Sequence, residues 1–149
     1  MARHTLWSSM DRDDLLGRFE SLSPSATPKW GRLDAPRMVT HVTDALRSSY
    51  GELTPAPKPS PLRFWPVNTL VMFYMPWPRG VPTAPELLSR NPLEWTTELA
   101  TLRSAMTRFV ARDIDGPWAE HVAFGRIDGR QWGRLMYRHM DYHLGQFGG

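Results

Sequence analysis

Apolar residues recur at three- and four-residue intervals in four separate stretches of this chain, and a stripe of that period can be buried only on a helix. The first stretch carries Leu15, Leu16, Phe19 and Leu22. Ser8 or Ser9 can cap it, and Asp11, Asp13 and Asp14 put negative charge near the positive end of the helix dipole, which predicts a helix over about 9–22. The second has Asp34 as its cap, Pro36 in the first turn, where a missing N–H costs nothing, and Gly51 as the stop after Tyr50. Met38, Val42, Leu46 and Tyr50 form its inner stripe, with His41, Ala45 and Ser49 adjoining.

Asn91-Pro92 opens the third, which runs to about Arg112 with Trp95, Leu99, Leu102, Met106 and Phe109 inward and Glu94, Glu98 and Arg103 outward. The fourth starts at a capping box, Asp128 with Gln131, and Gly145 and Gly148 supply its stop signals. Trp132, Met136, Met140 and Leu144 form one stripe there, and Leu135, His139 and His143 lie beside it. Four amphipathic helices without a convincing strand pair point to an all-α bundle, and 149 residues suffice for one domain, 1–149, with a core of its own.

Nine of the fourteen prolines fall between residues 51 and 85, joining the second and third helices. A structureless loop of that length is unusual in a compact domain, so part of it should pack. Val67 to Met75 is the best candidate, as a short helix or an extended strap, because Leu70 to Met75 is too apolar to leave in water. Pro76-Trp77-Pro78-Arg79-Gly80-Val81-Pro82 then makes a stiff turn able to close one end of the bundle. Trp77 and Arg79 read as packing residues, with the wall of a site as the alternative.

There are no cysteines, which removes disulfides and thiolate metal sites and leaves His, Asp and Glu as possible ligands. The chain has no apolar run long enough to span a membrane, and its first residues lack the features of a secretion signal, so a cytoplasmic protein is expected. The net charge of +3 comes from 16 arginines and 2 lysines interspersed with 15 acids. The one regular cluster, Arg126, Arg130, Arg134 and Arg138, reads as a solvated helix face; nucleic-acid binding ranks last, and an anion-attracting surface beside the histidines is the other use.

His139 and His143 leave the same side of their helix about 6 Å apart, close enough to share a cation, and His41 faces inward from a different helix. A lone histidine on an apolar face is usually a satisfied core residue. Three from facing helices make a metal site, and three imidazoles without a carboxylate leave positions open for water or substrate. Such a site suits zinc or nickel, and iron(II) also. His121, in the link before the fourth helix, and Asp44, one turn beyond His41, are candidates for a general base or an outer partner, although structural packing explains each more simply.

The residues around His41 (Met38 to Leu46) and the C-terminal run Tyr137 to Phe147 resemble the DinB-like (YfiT-like) superfamily of metal-binding four-helix bundles. Trp30-Gly31-Arg32, Pro76 to Leu87, and His121 followed by Phe124-Gly125 resemble a subgroup of unknown function within it. One departure is Val122, where family patterns favour proline after the histidine. The resemblance implies an up-down-down-up bundle whose long crossover is the proline-rich stretch, a divalent metal on His41, His139 and His143, and a homodimer. It also implies, for some members, a transferase or isomerase activity with a low-molecular-weight thiol. The expectation is therefore a divalent-metal-binding protein, either a metal-dependent thiol transferase or hydrolase, or a non-catalytic metal-stabilised bundle acting as a dimeric interaction or stress-related protein.

Overall fold

The computed structural model describes residues 3–79 and 90–149, and those residues are helical apart from loops and one isolated bridge between His121 and Gly125. Five α-helices are present among them: α1 (Ser9–Ser21), α2 (Ala35–Ser49), α3 (Val67–Phe73), α4 (Trp95–Ala111) and α5 (Gly129–Gln146). A single 3-10 turn, Pro61–Arg63, precedes α3. Among the described residues no helix is long and apolar enough to cross a membrane.

Local chemistry accounts for most helix ends. The Ser8 side chain accepts from the Asp11 backbone N–H, Asp34 accepts from Arg37, and Asp128 and Gln131 bond reciprocally in a complete capping box. Gly51 leaves α2 at a φ of 83°, a conformation that favours glycine. Gly145, by contrast, does not stop α5, which continues to Gln146.

The start of α4 differs from the sequence expectation. Helical geometry begins at Trp95 with Glu94 as the cap, rather than at Pro92, because the Leu93 N–H turns aside to donate to the Glu98 carboxylate at 2.7 Å. Glu98 does not face out as its spacing suggested. It is 0% exposed, and Arg90 grips it with two bonds of 2.8 and 3.1 Å. Burial of a carboxylate is tolerable when a guanidinium and a backbone N–H replace its water, and the sequence pattern does not reveal that Arg90 supplies the replacement.

Helix α2 packs against α4 and α5, and α1 packs against the same two, so the four long helices meet around one core. Phe19, Met38, Val42, Leu46, Leu102, Phe109, Trp132 and Met136 are all buried there. Removing a large apolar side chain from water is worth about 1.5–3 kcal/mol, so these stripes carry most of the fold's stability. The crossover between α2 and α4 lays α3 on α5, as the short-helix reading expected. Only one side of it packs. Met72 is buried, whereas Leu70, Tyr74 and Met75 are exposed, contrary to the expectation that the whole apolar run would leave water. Of the Pro76 to Leu87 stretch, Gly80 to Leu87 lies outside the described residues.

The N-terminal segment is tied across α5. Leu6 is fully buried and its N–H donates to the Gly133 carbonyl at 3.1 Å, while the Trp7 indole N–H donates to Gly129 at 2.8 Å. A Cβ on Gly133 would stand 2.4 Å from the Trp7 ring and 2.6 Å from the Thr5 hydroxyl. Alanine there gains helix propensity of about 1 kcal/mol but drives the indole off the helix, and overpacking of this kind typically costs about 1–3 kcal/mol. Gly133→Ala should therefore lower the urea midpoint of unfolding. An unchanged or raised midpoint would contradict this packing.

Candidate metal centre

His41 sits in the middle of α2, the most deeply enclosed helix, where 12 of 15 residues are buried. His139 and His143 sit one turn apart on α5, the helix that packs against it. The three rings converge through their Nε2 atoms: His139 Nε2 lies 3.0 Å from His41 Nε2 and 3.0 Å from His143 Nε2. One ring nitrogen from each residue falls within 4.8 Å of the other two. His41 and His143 are buried and His139 is half-buried, so the cluster approaches solvent along the His139 side.

The protonation state of one ring follows from its neighbours. The Gln146 Nε2 donates to the Trp30 carbonyl at 3.2 Å, which can only accept, and this fixes which end of the amide is nitrogen. Its Oε1 is then the atom 2.5 Å from His143 Nδ1, so the imidazole must donate from Nδ1. The lone pair of His143 Nε2 is left pointing into the cluster, which is the tautomer a metal ligand requires. Burial holds His143 below the ordinary histidine range. It depresses His139 further, with the neighbouring His143 and His41 rings adding to the effect.

This donor set fits a divalent cation. Imidazoles about 2.0–2.1 Å from a tetrahedral ion stand about 3.3 Å apart, close to the two 3.0 Å separations that His139 makes. A neutral His139 with its proton on Nε2 can bridge to the His143 lone pair without any charge, and a divalent cation could instead take all three Nε2 lone pairs at once. No carboxylate among the described residues is in the set, so these three ligands would leave a bound ion its charge.

The walls come from segments far apart in sequence. Tyr142 donates to the Pro78 carbonyl at 3.2 Å and accepts from the Trp30 indole at 3.3 Å. Trp77 stands edge-on to His139 at 6.3 Å and to Tyr142 at 5.9 Å, and its indole N–H is tied to the Val71 carbonyl at 2.9 Å. Both readings of Trp77 therefore apply, since its packing makes it a wall. Gln146 and Tyr142 were not singled out from sequence. The available signal was their position on α5, Gln146 one turn beyond His143 and Tyr142 one residue before it.

The two weaker candidates have other engagements. Asp44 is 2% exposed, and its oxygens accept from Arg90 Nε at 3.1 and 3.2 Å and from Arg47 at 3.1 Å. Its carboxylate thus anchors the end of the crossover to α2. His121 accepts at Nδ1 from the backbone N–H groups of Ala123 and Phe124, at 2.9 and 3.1 Å, and packs on Phe124 and Trp132. Burial, aided by the charge of Arg63, pushes it down to about 4.

The arginine stripe is a solvated face at one end only: Arg126 and Arg130 are exposed as expected, whereas Arg134 and Arg138 are half-buried against the crossover. Arg130 pairs with Asp115 at 2.5 Å, and Arg134 lies 3.9 Å over the Phe73 ring. Arg138 stacks 4.4 Å over Trp77 and donates to the Val71, Met72 and Met75 carbonyls, completing the end of α3. Positive charge at a helix C-terminus also suits its dipole.

A family of proteins of unknown function (DUF1569) matches residues 71–148, just over half of the chain, including α4, α5 and the Trp77 strap. The chain belongs to that family. No curated protein and no solved structure matches it.

His121 makes a pH-dependent contribution whose sign is determined. Its folded value of about 4 lies below the ordinary 6.5, so between those pH values the unfolded chain takes up a proton that the folded one refuses. Its stabilising contribution is complete above about pH 6.5 and falls by roughly 3 kcal/mol as the pH drops through 4. His121→Asn should lose less unfolding free energy than the wild type between pH 7 and pH 4.5 in urea titrations. Parallel losses would remove this role.

Proposed function

We propose that this protein is a divalent-metal-binding, DinB-like helical bundle in which His41, His139 and His143 hold zinc or nickel, or iron(II), and that its chemistry is a metal-dependent thiol transfer or hydrolysis. The observation that carries this reading is the meeting of three Nε2 atoms, one of them with its lone pair aimed inward by Gln146. The up-down-down-up helix order and homodimeric assembly belong to the same proposal.

A cation in such a site supplies Lewis acidity, stabilising a thiolate or hydroxide at neutral pH. The chain's own residues supply the rest. Gln146 holds the His143 tautomer, and its neutral amide gives no negative charge to offset the cation. Trp77, Tyr142 and Trp30 limit water on the flanks of the cluster, and the half-buried edge of His139 is the route for a ligand. His121 and Asp44 position the loop and the crossover.

A second reading has its own observation. Phe64, Trp65, Leu70 and Tyr74 are exposed on the crossover, Trp65 to 79%, and an apolar ridge of that kind suits association. In that reading the cation only pins α2 to α5 and the dimeric bundle acts as an interaction or stress-related protein.

Metal analysis of protein purified without a tag should find about one divalent ion per chain. His139→Ala should reduce this to near zero while circular dichroism keeps its helical signal, because the apolar stripes supply most of the core energy. A metal-free variant that is wholly unfolded would instead support the structural reading. Cobalt(II)-loaded wild type should change its visible spectrum on adding small thiols, and His143→Ala should not. Spectra unaffected by any thiol in a varied panel would remove the transferase.

A further inference from the structure

Arg79 stands out among the groups around the histidine cluster. It is held from two sides by the framework of His143. The carbonyl of the preceding residue, Pro78, accepts from Tyr142, the chain neighbour of His143. Its guanidinium lies 4.2 Å over the ring of Trp30, whose carbonyl is bound by Gln146, the residue that orients His143. Arg79 is exposed, and no carboxylate among the described residues pairs with it.

Stacking engages the face of a guanidinium and leaves its in-plane N–H donors free to take a planar anion. Arg138 makes the comparison. It stacks on Trp77 in the same manner, but its N–H groups are spent on carbonyls at the end of α3. Arg79 is thus a stacked cation with an open edge among the described residues, linked to His143 through Trp30 and Gln146, and the three rings and the orienting amide carry no negative charge.

We propose that the natural ligand of this site is an elongated molecule with an anionic group at each end, one for the cation on the three histidines and the other, a carboxylate or similar planar oxyanion, for the open edge of Arg79. This rests on the metal-binding reading above and names the ligand class for it.

The test uses the full chain loaded with cobalt(II) and two thiols of similar size, 3-mercaptopropionate and 2-mercaptoethanol, with dissociation constants read from the cobalt spectrum. The wild type should prefer the mercaptocarboxylate by about tenfold, the scale of one charge-assisted contact to a partly solvated guanidinium. Arg79→Gln should bring the ratio near one. Arg130→Gln, which removes an equal charge from a pair with Asp115, should keep it. A wild-type ratio near one, or a preference that persists in Arg79→Gln, overturns the ligand class while leaving the metal site standing. Failure to take up cobalt overturns both, which separates the two failures.

Discussion

Nearly every side of α2 is buried, and much of the rest of the molecule follows from the need to satisfy the polar groups it carries inside. A buried carboxylate or imidazole without a partner costs several kcal/mol, enough to cancel a large share of a domain's stability. Asp44 is answered by Arg90 and Arg47, Ser48 and Ser49 return their hydroxyls to the Ala45 and Leu46 carbonyls, and His41 is answered from α5. The same arginine that neutralises Asp44 also binds Glu98 of α4, so one side chain from the end of the crossover joins α2 to α4.

The histidine cluster is the counterpart on the opposite flank, joining α2 to α5. The chemistry differs because imidazole can be neutral. The ion pairs of Asp44 and Glu98 neutralise charge, whereas the three rings bring together neutral nitrogen atoms. The His143 lone pair points into this meeting of rings, which is the polarity that a cation would complete. Gln146 strengthens this contrast, since a carboxylate in its place would orient His143 equally well but would soften the field of a bound ion.

The strap over the cluster is bound to the helix that carries His139 and His143. Arg138 precedes His139 in sequence and holds the end of α3, while Trp77 beneath it reaches the His139 ring. Tyr142 and Gln146 do the same for Pro78 and Trp30. The walls are therefore tied to α5, the helix that bears His139 and His143.

Much of this was legible in local sequence. Caps at Ser8, Asp34 and Asp128, the apolar periods and the inward placement of His41, His139 and His143 depend on chemistry within a turn or two, which residue spacing reports directly. What spacing does not report is a partner from a distant segment. Glu98 looked outward because Arg90 could not be matched to it. Arg138 looked solvated because the α3 carbonyls it completes lie more than sixty residues upstream, and Gly133 gave no sign that Trp7 packs on it. Asn91-Pro92 looked like a helix start, yet the bond from Leu93 to Glu98 draws that backbone away. Periodicity determined which residues go inside, because hydrophobic burial depends on the side chain alone. Only the tertiary structure decided which polar groups meet there, because hydrogen bonds and ion pairs depend on both partners and on the few tenths of an ångström between them.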